Sequence, residues 1–266
     1  MRLRTPAWAA PFAGLLPILL AAAMMLSTLP PLILDLDARP LHDLVGIAMA
    51  PGLAAYAASV YGWRFTVKAF ALLFFGGLGV EVLGLQTGFP FGVYTYTQRL
   101  QPQLLGVPIQ IPLAWFFLGI MSYSLAHLTP VGRKEGIVAA AALMTAWDVL
   151  YDPIFTSVGW WTWVEGDYFG VPLTNFLGWL LASFFLFTLL RAGFHRDPKP
   201  PSRLARMAPI ILYLVYIIDG VANSLFLDQT PAGIVGGLLT TVTLILVHRR
   251  ALIRTRLLIH PRPVSP

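Results

Sequence analysis

The chain has 266 residues, of which 57% are hydrophobic and 11% charged, with a formal net charge of +6 and no cysteine. So little charge excludes a soluble domain of this length, and the missing thiols exclude a disulfide framework, a thiolate nucleophile and a thiolate metal site. The basic excess has the placement expected of membrane edges, so nucleic acid is not an expected partner.

The first apolar run, 8–34, follows Arg2 and Arg4. It is too long for a cleaved signal and lacks a small-x-small exit, so it reads as an anchor. Further runs occupy 44–60, 67–85, 109–128, 136–150, 173–190, 208–226 and 232–247. Most approach the length that crosses a bilayer core. The expected fold is all-α: a polytopic membrane helical bundle of about eight transmembrane helices in one integral-membrane domain, 1–266.

Pro108, Pro112, Pro172 and Pro231 fall in opening turns, where a missing N–H costs little. With eight spans, all of the 18 Lys and Arg except Arg39 and Arg99 lie on one side. Positive loops stay cytoplasmic, so both termini are expected in the cytoplasm of a bacterial cell. The proline-containing loop 191–206 separates a core from a terminal hairpin at roughly 208–249. Gly233 and Gly237 suit close packing within the chain or in a dimer, and the oligomeric state is not legible.

An internal repeat organises the core. Glu81 precedes Gly92 by the interval that separates Asp148 from Gly159, and Gly92-Val93-Tyr94-Thr95-Tyr96 answers Gly159-Trp160-Trp161-Thr162-Trp163. Gly106-Val107-Pro108, Leu113 and Trp115 likewise answer Gly170-Val171-Pro172, Leu177 and Trp179. The unit is a parallel helix-loop-helix, used at roughly 67–128 and 136–190.

Ionisable groups inside spans are costly and point to function. Glu81, Asp148 and Asp219 lie on three outward-running spans, in the outer half of the membrane. Asp152 and Asn223 follow Asp148 and Asp219 by four residues, so each pair shares a helix face. Asn175 joins them from the start of the sixth span. A polar cavity opening outward follows, with Asp148, Asp152 and Glu81 as candidate catalytic groups. Asp219, Asn223 and Asn175, with Tyr94, Tyr96, Trp115, Trp160, Trp161, Trp163 and Trp179, are candidates for binding substrate or water. Each has a plainer reading: Asp152 before Pro153 suits a helix end, Asp219 with Asn223 an interhelical pair, and the rings an interfacial belt. His127 is expected at the opposite, cytoplasmic edge.

A carboxylic acid held in an apolar cavity can keep its proton near neutrality and act as an acid. Such a group can protonate a carbon–carbon double bond, and the resulting cation is stabilised by aromatic faces, each worth about 0.5–2 kcal/mol. Water then gives an alcohol, whereas a neighbouring double bond gives a ring. Two carboxyls one turn apart tend to share a proton, so the Asp148/Asp152 pair is the expected acid, and Glu81, backed by Asn175 and Asp219, is expected to position the water. The sequence contains no phosphate loop and no HExxH metal motif. Neither a cofactor nor a metal is expected.

The segments TGFPFGVYTYT, LLGVPIQIPLAWF, WDVLYDPIF, GWWTW and YFGVPLTNFLGW resemble those of the integral-membrane carotenoid-biosynthesis proteins that include carotenoid 1′,2′-hydratases and haloarchaeal bisanhydrobacterioruberin hydratase. The resemblance spans roughly 76–179. It implies a hydro-lyase that adds water to the terminal double bond of a ψ end group, on lycopene, γ-carotene or a derivative. Its partners would be the carotenoid, membrane lipid and other enzymes of the pathway. A membrane lycopene cyclase, or a non-catalytic carotenoid carrier or scaffold, remains the alternative.

Overall fold

The computed structural model describes residues 14–34, 39–127, 133–194 and 202–259. Within them lie eight helices: α1 (Leu15–Leu34), α2 (Arg39–Val60), α3 (Trp63–Thr87), α4 (Gln110–His127), α5 (Arg133–Ser157), α6 (Leu173–Phe194), α7 (Arg203–Phe226) and α8 (Thr230–Ile259). Five stretches, Trp63–Thr87, Lys134–Ser157, Leu173–Gly193, Arg203–Phe226 and Thr230–Arg249, are long and apolar enough to cross a membrane. The chain is an all-α integral membrane protein. Lipid-facing residues are large and apolar, as at Phe75 and Leu83 on α3, Phe185 on α6 and Leu238 on α8, all exposed.

Helix α4 is the axle of the bundle. Every residue from Trp115 to Ala126 is buried, because α2, α3, α5 and α7 all pack against it. A helix that is apolar on all faces is stable only when surrounded in this way. Small residues set the closest approaches. A Cβ on Gly119 would come within 2.9 Å of Leu73, and one on Gly77 would overlap the Trp115 ring. Gly233 and Gly237 lie against Ser224 and Val221 of α7, so this small-residue face packs within the chain.

Helix α5 runs past the expected end at Leu150. It continues through Pro153 to Ser157, so Asp152 lies inside a helix and does not terminate one. A proline removes one backbone hydrogen bond, which transmembrane helices tolerate when neighbouring helices pack around the site. Helix α8 supplies that packing: a Cβ on Gly236 would reach within 2.7 Å of the Leu150 Cα. Nearby, the Thr240 hydroxyl donates to the Ala146 carbonyl at 2.7 Å.

Short strands follow the C-terminal ends of α3 and α5, β1 (Tyr94–Tyr96) and β4 (Trp161–Trp163), and two more, β2 (Gln103–Leu104) and β3 (Val107–Pro108), form a separate pair. Strands β1 and β4 pair antiparallel, Tyr94 with Trp163, Thr95 with Thr162 and Tyr96 with Trp161. In the repeat Tyr94 corresponds to Trp161 and Tyr96 to Trp163, so the register exchanges equivalent residues across a local two-fold axis through the threonines. Gly92 and Gly159, which precede the two strands, have φ of 90° and 70°. Only glycine adopts that backbone readily, which explains its recurrence.

Candidate active site

Each half of the repeat carries one carboxyl group inward from its helix. Glu81 on α3 and Asp148 on α5 are 3% and 1% exposed. The two Trp positions that follow at equivalent places, Trp115 on α4 and Trp179 on α6, stack face to face with centroids 4.3 Å apart and planes 3° from parallel. Strand geometry sends alternate side chains to one face, so Tyr94, Tyr96, Trp161 and Trp163 share the inward side. There the Tyr94–Trp163 and Tyr96–Trp161 pairs have the same 5.8 Å centroid separation.

The two halves differ in how the acid is held. Glu81 is held by donors alone: Tyr94 and Tyr96 donate their hydroxyls to Oε2 at 2.6 and 2.8 Å, and Trp115 donates Nε1–H to Oε1 at 3.0 Å. Burial, and then the neighbouring Glu81 charge, raises both phenols well above their ordinary range. They therefore remain O–H donors.

In the second half the corresponding rings are indoles and have no hydroxyl to extend. Trp163 donates its N–H to the Phe91 carbonyl at 3.2 Å, and the Trp161 Nε1–H has no hydrogen-bond partner among the described residues. Asp148 is instead served by Asn175, whose amide donates to Asp148 Oδ2 at 2.9 Å and to Asp152 Oδ2 at 2.6 Å. One NH₂ group thereby ties two carboxyls together. The two carboxyls also hydrogen-bond each other, and among the described residues no N–H or hydroxyl group donates to the buried Asp148 Oδ1.

These groups border a cavity of about 440 Å³. Glu81, Asp148, Asp152, Asn175, Tyr94 and Tyr96 line it, as do Trp160, Trp161, Trp163 and Trp179. Two kinds of exposed residue mark its rim: Gly46 and Ile47 on the apolar flank of α2, and the polar Arg99 and Gln101 above.

Three of the expected site residues lie one layer back. Trp115 is fully buried behind Glu81. Asp219 accepts from the Tyr151 hydroxyl at 2.9 Å and from Asn223 at 3.2 Å, both on Oδ2. Neither Asp219 nor Asn223 lines the cavity; Tyr151 stands between. Asn175, expected to support Glu81, donates instead to the two aspartates. His127 ends α4, stacked on Tyr123 at 3.9 Å. It lies twelve residues, or about 18 Å at 1.5 Å per residue, from Trp115.

The sequence reading omits an aromatic ladder beside the acids. Trp147 stacks on Tyr151 at 4.4 Å, and Tyr151 meets Phe155 at 5.4 Å. All three line the cavity, with Tyr216 from α7. The signal was present in WDVLYDPIF, where rings at 147, 151 and 155 repeat with the period that places Asp148 and Asp152 on one face. Among the described residues, no group of three or more His, Cys, Asp or Glu gathers in a way that could hold a metal ion.

Gly77 is the point where bundle packing and site geometry meet. Replacing it with Val is expected to displace Trp115, lowering stability by about 1–3 kcal/mol and taking from Glu81 its Oε1 donor. Thermal unfolding in detergent and turnover, measured together, should fall together. Unchanged turnover with a lowered Tm would show that the Trp115 contact does not support the site.

Comparison with known proteins gives the same placement. The family model described as "Carotenoid biosynthesis protein" matches residues 41–244. Bisanhydrobacterioruberin hydratase of Haloarcula japonica is 32% identical over 164 residues, covering 59% of this chain and 55% of that relative. The chain thus matches about half the length of that curated relative. No solved structure matches. A helical membrane bundle with paired intramembrane acids under an aromatic cap, matched by that model over most of its length, belongs to the carotenoid-biosynthesis protein family.

Proposed function

We propose that the protein is a carotenoid hydratase that adds water across the terminal 1′,2′ double bond of an acyclic ψ end group, as in lycopene, γ-carotene or a derivative. The observation that carries this reading is the Asp148/Asp152 pair, joined by one amide and facing an aromatic cavity. Two neighbouring carboxyls share a proton readily because both cannot easily be charged together.

That pair donates the proton to C2′. The π electrons form the new C–H bond, and C1′ becomes a tertiary cation. Glu81, held by donors alone, lies on the same cavity as the negative counter-charge, and the faces of Trp179, Trp163 and Tyr96 add cation–π attraction. Water adds to C1′ and returns its proton to the pair, leaving the tertiary alcohol and restoring the acid. The protein's own residues supply every proton transfer.

The cavity suits an end group and not a whole carotenoid. A forty-carbon polyene is about as long as the bilayer core is thick, about 30 Å, whereas the cavity holds about 440 Å³. The remaining chain would leave past Gly46 and Ile47 into lipid. The polar rim at Arg99 and Gln101 gives water a route from above, which supports hydration over cyclisation.

Expression in a host that accumulates lycopene or γ-carotene tests the reading. A pigment heavier by one water is the expected product. An isomer of unchanged mass would make the protein a cyclase, and unaltered pigment would leave a carrier or scaffold. The bacterial cytoplasmic membrane is the proposed location, with both termini inside. Reporter fusions at Lys199 and after Arg256 should then read cytoplasm and one at Gly166 the outer side; the same side at Gly166 and Lys199 would overturn this topology.

A further inference from the structure

We infer that the reacting water is bound between Asp148 Oδ1 and the Trp161 Nε1–H, the second-half counterpart of the closed contact between Glu81 and Tyr94. The inference rests on the hydratase reading and assigns a site within it. The first half shows what this pair of positions does when both side chains are long: the Tyr94 hydroxyl meets Glu81 Oε2 directly at 2.6 Å. In the second half both reaches are shorter. Aspartate lacks one methylene, about 1.5 Å of chain, and the donor retreats from the tip of a phenol to the nearer ring of an indole.

A third substitution keeps the ring away. Gly84 lets Tyr94 approach Glu81, since a Cβ there would lie 3.0 Å from the Tyr94 hydroxyl. Its counterpart is Tyr151, a full aromatic side chain. The result, among the described residues, is one buried acceptor that no N–H or hydroxyl group reaches and one buried donor that meets no acceptor, on residues lining the same cavity. A bridging water needs two hydrogen bonds of about 2.8 Å where the first half has one. The three changes open the contact in that sense. They also give the polarity: water would accept from Trp161 and donate to Asp148, leaving a lone pair for C1′. The proton it loses on adding to the cation then passes to Asp148, the group that must be recharged.

Trp161 is thus a positioning residue for the nucleophile, and its effect should appear in the fate of the cation more than in its formation. The full-length protein in membranes is supplied with lycopene in deuterated water, and two products are counted: hydrated carotenoid, and unhydrated carotenoid that has taken up deuterium because its cation lost a proton instead. Trp161→Phe removes the N–H and keeps an aromatic face. Trp161→His keeps an N–H at nearly the place of the indole nitrogen and loses the outer ring.

The ratio of hydrated to exchanged product is expected to fall about tenfold in Trp161→Phe, the effect of one hydrogen bond. In Trp161→His it should stay near the wild-type ratio even where total turnover drops. Equal ratios in the two variants, or loss of hydration and exchange together in Trp161→Phe at unchanged protein level, would overturn the water site. A wild-type protein that yields neither product would instead overturn the hydratase reading itself.

Discussion

Asp148→Asn is expected to lower hydrated product by at least about 10³-fold, near the upper range for a general acid, with membrane protein level unchanged. The substituted amide keeps the shape of the side chain, and its oxygen can still accept from Asn175, which now donates to Asp148 Oδ2 at 2.9 Å. It has no proton to give to carbon. Deuterium exchange into the end group should vanish with the hydrate, because no cation forms. Asp152→Asn should be milder, since Asp148 retains its own carboxyl and its Asn175 contact. Continued exchange in Asp148→Asn would move the acid to Asp152 or out of the pair altogether.

Glu81→Gln is expected to reduce turnover about a hundredfold and to lower Tm by several degrees. Its carboxyl accepts three donors, and an amide offers one oxygen. Either Trp115 or the two tyrosines must then face an NH₂ group, and a lost buried hydrogen bond to a charged group costs about 1.5–3 kcal/mol. The variant also removes the negative charge proposed to face the cation. Hydration and exchange should therefore decline in parallel. Exchange that survives while hydration is lost would assign the water to Glu81, as the sequence alone suggests.

That change of role for Glu81 shows where sequence reasoning stops. The eight helices were legible because apolar runs are long and proline and glycine punctuate them. Asp148 and Asp152 could be placed together because four residues make one helical turn. The partner of Asn175 was not legible, because it depends on how α6 is rotated against α5 and α3, and no local pattern records rotation. Asp219 was misplaced for a related reason: depth can be read from position in a run, but the layer it occupies depends on whether Tyr151 stands in front. Pro153 misled the end of α5, since the preference of the preceding residue for extended backbone is overridden when α8 packs against the helix.

The repeat was visible as spacing, but its meaning was not. Two surfaces that pair with exchanged register, Tyr94 with Trp163 and Trp161 with Tyr96, have the geometry of a self-complementary dimer interface. Separate identical subunits would have to carry every substitution twice, so closing one contact would close both. Covalent fusion lifts that restriction. One copy can keep the closed contact that fastens the cap, while the other is free to shorten an acid, exchange a phenol for an indole and fill a glycine, gaining an asymmetry that no homodimer could hold.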